Sequence, residues 1–308
     1  CTFLHLLFMQ TQPNLSLSDF PESNLLIPYA WQANGLHPGP TVTIFGGVHG
    51  NERVGLSVIQ MLLSEMAAGN VLAGTLKVAL GNLDAIEKNV RFIQKDLNRC
   101  FGTPKGSTSE EIRAQALKCV IAGSDAFIDI HSTIKPSDPF IGGLTLDHPL
   151  MKQILPNLGI QNLMTGVGWG SPTSEPIYAD TFAQSMGALG LTVEAGGIDN
   201  PDTLLIIERI RHALQTLGVL KGTPTGKLIH EFDYSNAYEN IVAQPGFSFE
   251  KDFQNFEFLS AGTTYATYPD KALAVDRDSQ IVFPKSKANL VIGSEAGILV
   301  EPKRVITL

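Results

Sequence analysis

Three short apolar runs, Thr41-Val42-Thr43-Ile44-Phe45, Ala126-Phe127-Ile128-Asp129-Ile130 and Leu191-Thr192-Val193, limit more than any other feature what this chain can become. Each reads as a buried strand, and each delivers a polar or glycine-rich stretch at its end. Leu76-Lys77-Val78-Ala79-Leu80 reads as a further strand. Between them lie segments of helical spacing. Apolar positions at Val54, Val58, Met61, Leu62 and Met66 predict a helix from Glu52 to Ala68, with Gly69-Asn70 as its stop. Ser107-Thr108-Ser109-Glu110 fits a capping box in which Ser and Glu satisfy free amides, which predicts a helix over 109–121. Pro201 suits a helix start, and the apolar positions from Leu204 to Leu217 predict one long helix. Alternation of this kind predicts an α/β fold, with a central, mostly parallel or mixed sheet flanked by helices. Sites in such sheets form beyond the carboxyl ends of the strands.

The texture changes at Lys221-Gly222-Thr223-Pro224-Thr225-Gly226. Segments such as Thr263 to Tyr268 and Gln280 to Pro284 follow, rich in Phe, Tyr, Val and Ile and without helical periodicity. The expected organisation is an α/β domain over residues 1–222 and a small β-rich domain over 223–308. Residues 1–8 are apolar but lack a basic start and a small-residue cleavage site, so they do not read as a signal peptide. Met9 reads as an alternative start, and the residues before it are set aside from the fold.

Partners are constrained by charge. A net charge of −8 argues against nucleic acid or an anionic membrane, both of which reward basic patches. No apolar run approaches the roughly 18–20 residues of a membrane helix. Cys1, Cys100 and Cys119 are odd in number and widely spaced, which points to a reducing, cytoplasmic setting. A homo-oligomer is compatible with the composition.

The first strand runs into Gly46-Gly47-Val48-His49-Gly50-Asn51-Glu52. His49 and Glu52 are three apart across a strand-to-helix turn, a spacing that lets both reach one ion, and His131 arrives at the end of another strand. Imidazole nitrogen and carboxylate oxygen are zinc donors, and a catalytic zinc takes three protein ligands and keeps one position open. Gly46, Gly47 and Gly50 permit the close approach or positive φ that such a turn demands. Glu194 follows the third strand, which completes the pattern expected of a zinc hydrolase. The other reading of each residue is structural: Asn51 or Glu52 as a helix cap, His131 as a hydrogen-bonded core histidine, Glu194 as an ion-paired carboxylate. Arg91-Phe92-Ile93-Gln94-Lys95-Asp96-Leu97-Asn98-Arg99 adds two arginines and an asparagine in nine residues, donors suited to a carboxylate or an oxyanion, or else a solvated basic loop.

Four motifs in this order, Gly-Gly-Val-His-Gly-Asn-Glu at 46–52, the nine residues 91–99, Asp-Ile-His-Ser at 129–132 and Val-Glu-Ala-Gly-Gly at 193–197, resemble the succinylglutamate desuccinylase and aspartoacylase family, a relative of the zinc carboxypeptidases. The resemblance covers roughly residues 40–200. It implies one zinc ion per chain held by His49, Glu52 and His131, with Glu194 as general base and Arg91 polarising the scissile carbonyl. It also implies that Asn98 and Arg99 hold the substrate carboxylate, that Asp96 supports the metal site, and that the C-terminal domain covers the site. The implied reaction is hydrolysis of a small N-acyl amino acid. Two departures stand out. Gln184 occupies the place of an arginine that contacts the substrate carboxylate in aspartoacylases, and Asn289, Leu290 and Val291 stand where a tyrosine is expected. A less acidic N-acyl amino acid or a related amide is thus accommodated at least as well as acetylaspartate. The alternatives are a zinc carboxypeptidase acting on peptide C-termini and a non-catalytic relative that binds an amino-acid derivative or a partner protein.

Overall fold

The computed structural model describes residues 15–104, 106–143, 146–166, 177–226 and 228–308, so residues 1–8, set aside above, lie outside the described part. The fold is mixed α/β. Its large sheet contains β1 (Ala30–Asn34), β2 (His37–Gly46), β3 (Ala73–Leu80), β4 (Ala126–Thr133), β5 (Phe140–Gly142), β6 (Asn162–Gly166), β7 (Leu189–Gly197) and β8 (Glu231–Val242). These run in the order β1-β3-β2-β4-β7-β5-β6-β8. Pairing is parallel for β3-β2-β4-β7 and for β5-β6-β8, and antiparallel where β1 meets β3 and β5 meets β7.

The inner strands alternate with period two between two apolar layers. Val42, Ile44, Ile128, Ile130, Leu191 and Val193 face one layer, which is covered by α1 (Val54–Ala67), α4 (Met151–Leu158) and α6 (Thr203–Thr216). Phe45 and Phe127 face the other, against α3 (Ser109–Ile121) and α5 (Ala179–Ser185), with a ring-centroid separation of 4.9 Å. Every residue of β4 is buried, as a strand with helices on both faces requires. A short helix, α2 (Leu83–Lys88), follows β3, its start capped by Asn82.

The expected elements are present with shifts of one to a few residues at their ends. The first helix begins at Val54 rather than Glu52, and neither Asn51 nor Glu52 caps it. The helix over 109–121 is capped by Thr108 and Glu111, one residue on from the expected Ser107 and Glu110. Glu110 is occupied elsewhere: its Oε1 accepts from the amides of Ile93 and Gln94, at 2.8 and 3.0 Å.

After Gly226 the chain is β-rich. The segments β10 (Glu257–Leu259), β13 (Ser279–Val282), β14 (Glu295–Val300) and β15 (Arg304–Thr307) continue the large sheet, because β14 and β15 both pair with β8. A separate small sheet is formed by β9 (Ser248–Phe249), β11 (Thr264–Tyr268) and β12 (Lys271–Ala274). Among the described residues, no helix is long and apolar enough to cross a membrane.

The turn after β2 depends on close backbone contact. Gly47 adopts φ +70°, and a Cβ on Gly50 would sit 2.1 Å from the carbonyl carbon of Ala85. Gly50→Ala is therefore expected to destabilise the fold by more than about 2 kcal/mol, since backbone must move to relieve the overlap. Denaturant unfolding measures this, and an unchanged midpoint would contradict it.

Candidate active site

Strand register assembles the site. β4 and β7 place His131 opposite Glu194 and Asp129 opposite Thr192, all on the face that carries Phe127. Gly46, the last residue of β2, lies opposite Ile130, so the turn carrying His49 and Glu52 leaves the sheet beside His131. His49 Nδ1 is 2.8 Å from Glu52 Oε1, His131 Nδ1 is 2.9 Å from Glu52 Oε2, and the two Nδ1 atoms are 3.1 Å apart. All three side chains are buried.

The other nitrogen of each ring meets an aspartate. His49 Nε2 is 2.9 Å from Asp96 Oδ1, and His131 Nε2 is 2.9 Å from Asp129 Oδ2. A proton on the aspartate-facing Nε2 of each ring would leave the Nδ1 lone pair free, so that two imidazole lone pairs and one carboxylate converge. Ligand bonds of about 2.0–2.1 Å in tetrahedral array put donor atoms roughly 3.3 Å apart, close to what is found here. The electrostatics agree with a cation at this point. Burial opposes ionisation of Glu52, yet His49 and His131 hold its carboxyl well below the usual range. Burial likewise opposes charge on His131, yet Asp129 and Glu52 hold the imidazole well above its ordinary value. The donor set fits a divalent ion such as zinc.

The nine-residue basic motif wraps one side of this cluster. Arg91 reaches Glu52 Oε1 at 3.0 Å and Asp96 Oδ2 at 3.3 Å, with its side chain 29% exposed toward the pocket. Asp96 also caps a 3-10 turn over Leu97–Arg99 by accepting from the Asn98 amide at 2.9 Å. Asn98 Oδ1 accepts from the Ala179 amide at 3.0 Å, which fixes its side chain at the pocket wall. The Arg99 guanidinium lies 4.5 Å from the Tyr178 ring centre and 3.9 Å from Glu295 Oε1. Glu194 differs from the other acids. Its Oε2 is buried without a hydrogen-bond partner among the described residues, and burial, against the pull of His131, pushes its carboxyl up to about 8.

One pocket is thus lined by all seven candidates, His49, Glu52, Arg91, Asn98, Arg99, His131 and Glu194. It is also lined by Tyr178, Asp180, Phe283, Pro284, Lys285 and Glu295, which the sequence reading did not single out. Phe283 adopts φ +54°, unusual for a side chain of its size, and no local motif announces it. Gln184 does not line the pocket: its amide donates to the carbonyls of Gly143 and Gly190. Cys100 is a buried thiol raised to about 11, chiefly by burial, and donates to the Asp96 carbonyl at 3.3 Å.

Comparison with known proteins places these features in context. The family model for the succinylglutamate desuccinylase/aspartoacylase catalytic domain matches residues 38–218. A succinylglutamate desuccinylase of Serratia proteamaculans is 27% identical over 91% of this chain and 93% of its own length. The N-alpha-acetyl-L-2,4-diaminobutyric acid deacetylase of Halomonas elongata is 28% identical over 60% of this chain, a match that spans 56% of that protein. The crystal structure of a succinylglutamate desuccinylase from Vibrio cholerae superimposes with a TM-score of 0.74 at 19% identity, covering 91% of this chain and 89% of that one.

Proposed function

The chain belongs to the succinylglutamate desuccinylase/aspartoacylase family, and on that premise we propose that it is a zinc-dependent amidohydrolase cleaving N-acyl amino acids to a carboxylic acid and a free amino acid. The observation that carries this reading is the convergence of His49, Glu52 and His131 beside the buried Glu194, whose Oε2 has no hydrogen-bond partner among the described residues.

His49, Glu52 and His131 would hold the ion. Zinc supplies Lewis acidity and lowers the pKa of water to about 7. Glu194 takes a proton from the attacking water and later passes it to the leaving amine, so one carboxylate serves as base and then as acid. An Oε2 without a hydrogen-bond partner among the described residues suits it to that exchange. Arg91 sits beside Glu52 and Asp96 with part of its guanidinium open to the pocket, where it meets negative charge developing on the carbonyl oxygen. Asn98 and Arg99, fixed by Ala179 and Tyr178, receive the α-carboxylate.

The segment 223–308 supports an acylase over a carboxypeptidase. Phe283, Pro284 and Lys285 wall the pocket, which favours a small substrate over an extended peptide. The test is a screen of zinc-loaded protein against N-acetyl, N-succinyl and longer N-acyl amino acids alongside short peptides. Release of free amino acid from N-acyl substrates is expected. Release of C-terminal residues from peptides without deacylation would replace this reading by the carboxypeptidase one.

A further inference from the structure

Asn255 joins two loops that line the pocket, although it stands behind them, beside Ser137, Phe256 and Lys303. Its side-chain amide is used at both ends. Oδ1 accepts from the Phe283 amide at 2.7 Å, and Nδ2 donates to the Lys135 carbonyl at 3.0 Å. Thr133, Ile134 and Lys135 line the pocket from the end of β4, and Phe283 and Pro284 line it from the loop after β13. The Lys135 carbonyl also accepts from the hydroxyl of Thr133, which follows His131 on β4. One amide thus couples the strand that delivers a proposed metal ligand to the C-terminal segment that walls the pocket. Lys135 Nζ strengthens the same junction by donating to Asp252 Oδ1 at 2.5 Å and to the Phe253 carbonyl.

The backbone that Asn255 holds is strained. Phe283 has φ +54°, and as the residue before Pro284 it would ordinarily take an extended conformation. Such a conformation persists only where the surroundings over-determine it. The amide bond to Asn255 is one such constraint, and the packing of the Phe283 ring 5.7 Å from that of Phe140 is another. Phe140 pairs in register with Glu194 across β5 and β7, so the Phe283 ring lies against the neighbour of the proposed base. Asn255 is itself fixed against β13. The amide of Phe256 donates to the Ile281 carbonyl at 2.8 Å, its carbonyl accepts from Gln280 Nε2 at 2.8 Å, and its ring meets Phe140 edge-on at 5.2 Å.

We infer that Asn255 is a positioning residue that sets the size limit of the substrate, because it holds Phe283 and Pro284 over the site at a fixed distance from the loop after β4. It touches neither substrate nor reacting atoms and acts through Phe283. The inference rests on the amidohydrolase reading and adds to it the residue that decides how long an acyl chain is admitted. Without the Asn255 amide, the extended backbone that a residue before proline prefers becomes accessible at Phe283, and the wall moves away from the metal ligands.

The experiment is steady-state kinetics of zinc-loaded protein on the N-acetyl, N-butyryl and N-hexanoyl forms of whichever amino acid the screen above releases fastest. The readout is kcat/KM for hexanoyl divided by kcat/KM for acetyl. Asn255→Ala is expected to raise this ratio by roughly tenfold, with KM for the acetyl compound rising more than kcat falls. A merely structural role would lower kcat/KM for all three alike, and an unchanged ratio would overturn the inference while leaving the amidohydrolase reading standing. Asn255→Leu keeps the volume without either hydrogen bond, is expected to give the same shift, and decides the matter if the alanine protein lacks a cooperative unfolding transition. Collapse of both variants would make Asn255 a folding residue and overturn the inference. Phe283→Gly takes a positive φ without strain and is expected to raise the ratio as well. Adding Asn255→Ala to it is expected to change the ratio by less than about twofold, since the two act along one path, and full additivity would overturn that path. If the unmodified protein hydrolyses none of the three, the amidohydrolase reading falls. The ratio is then taken from calorimetric affinities for hexanoate and acetate, where the same tenfold rise supports the role of Asn255 and an unchanged ratio overturns it.

Discussion

Glu194→Gln is expected to lower kcat by roughly 10²–10⁴-fold while one zinc per chain remains bound, because the amide keeps the size of the side chain and removes its ability to take a proton. The position makes this a clean substitution. Glu194 pairs in register with His131 on the adjacent strand, so backbone that is already fixed sets the distance between the proposed base and the metal ligands. Its Oε2 has no partner among the described residues, so replacing it leaves no donor orphaned there. KM is expected to change little, since Asn98 and Arg99 are untouched. Steady-state kinetics on an N-acyl amino acid and metal analysis of the same sample decide the matter. Turnover within tenfold of the parent would remove Glu194 from the proton-transfer role, whereas loss of zinc would move it into the metal site.

Local pattern made the α/β half of the molecule legible. A strand such as β4 is apolar throughout and then ends on His131, and that abrupt change is what a buried strand feeding a site looks like in sequence. The helix over Ser109–Ile121 was legible for the same reason, although its cap was misplaced by one residue because Glu110 turns back to the Ile93 and Gln94 amides. Long-range pairing was not legible. The Gly/Pro/Thr cluster at 221–226 reads as a break, yet β8 pairs in parallel with β6 and carries the same sheet onward. Lys285 was hidden similarly: its place at the pocket follows from Asn255, thirty residues away, and from the positive φ of Phe283. Asp96 and Asp129 were visible as residues, but their contacts with the far nitrogens of His49 and His131 needed three-dimensional register.

His131→Ala is expected to abolish zinc binding and activity together, and to weaken the metal-free fold besides. The imidazole stands between two buried carboxylates, with Nδ1 at 2.9 Å from Glu52 and Nε2 at 2.9 Å from Asp129. With the ring removed, Glu52 Oε2 keeps the Ser132 amide at 3.0 Å, but Asp129 has no hydrogen-bond donor on either oxygen among the described residues. Breaking a buried pair by deleting one partner costs about 3–5 kcal/mol, because the remaining charge is left in the interior without compensation. Donor loss and stranded charge are separable effects. Adding Asp129→Asn to His131→Ala removes the stranded charge, so the double variant is expected to recover much of the lost stability and none of the zinc. Denaturant unfolding of the metal-free proteins and zinc stoichiometry after dialysis test both halves. A His131→Ala protein that still holds one zinc per chain would exclude His131 from the ligand set. A double variant no more stable than the single one would exclude Asp129 as the source of the destabilisation.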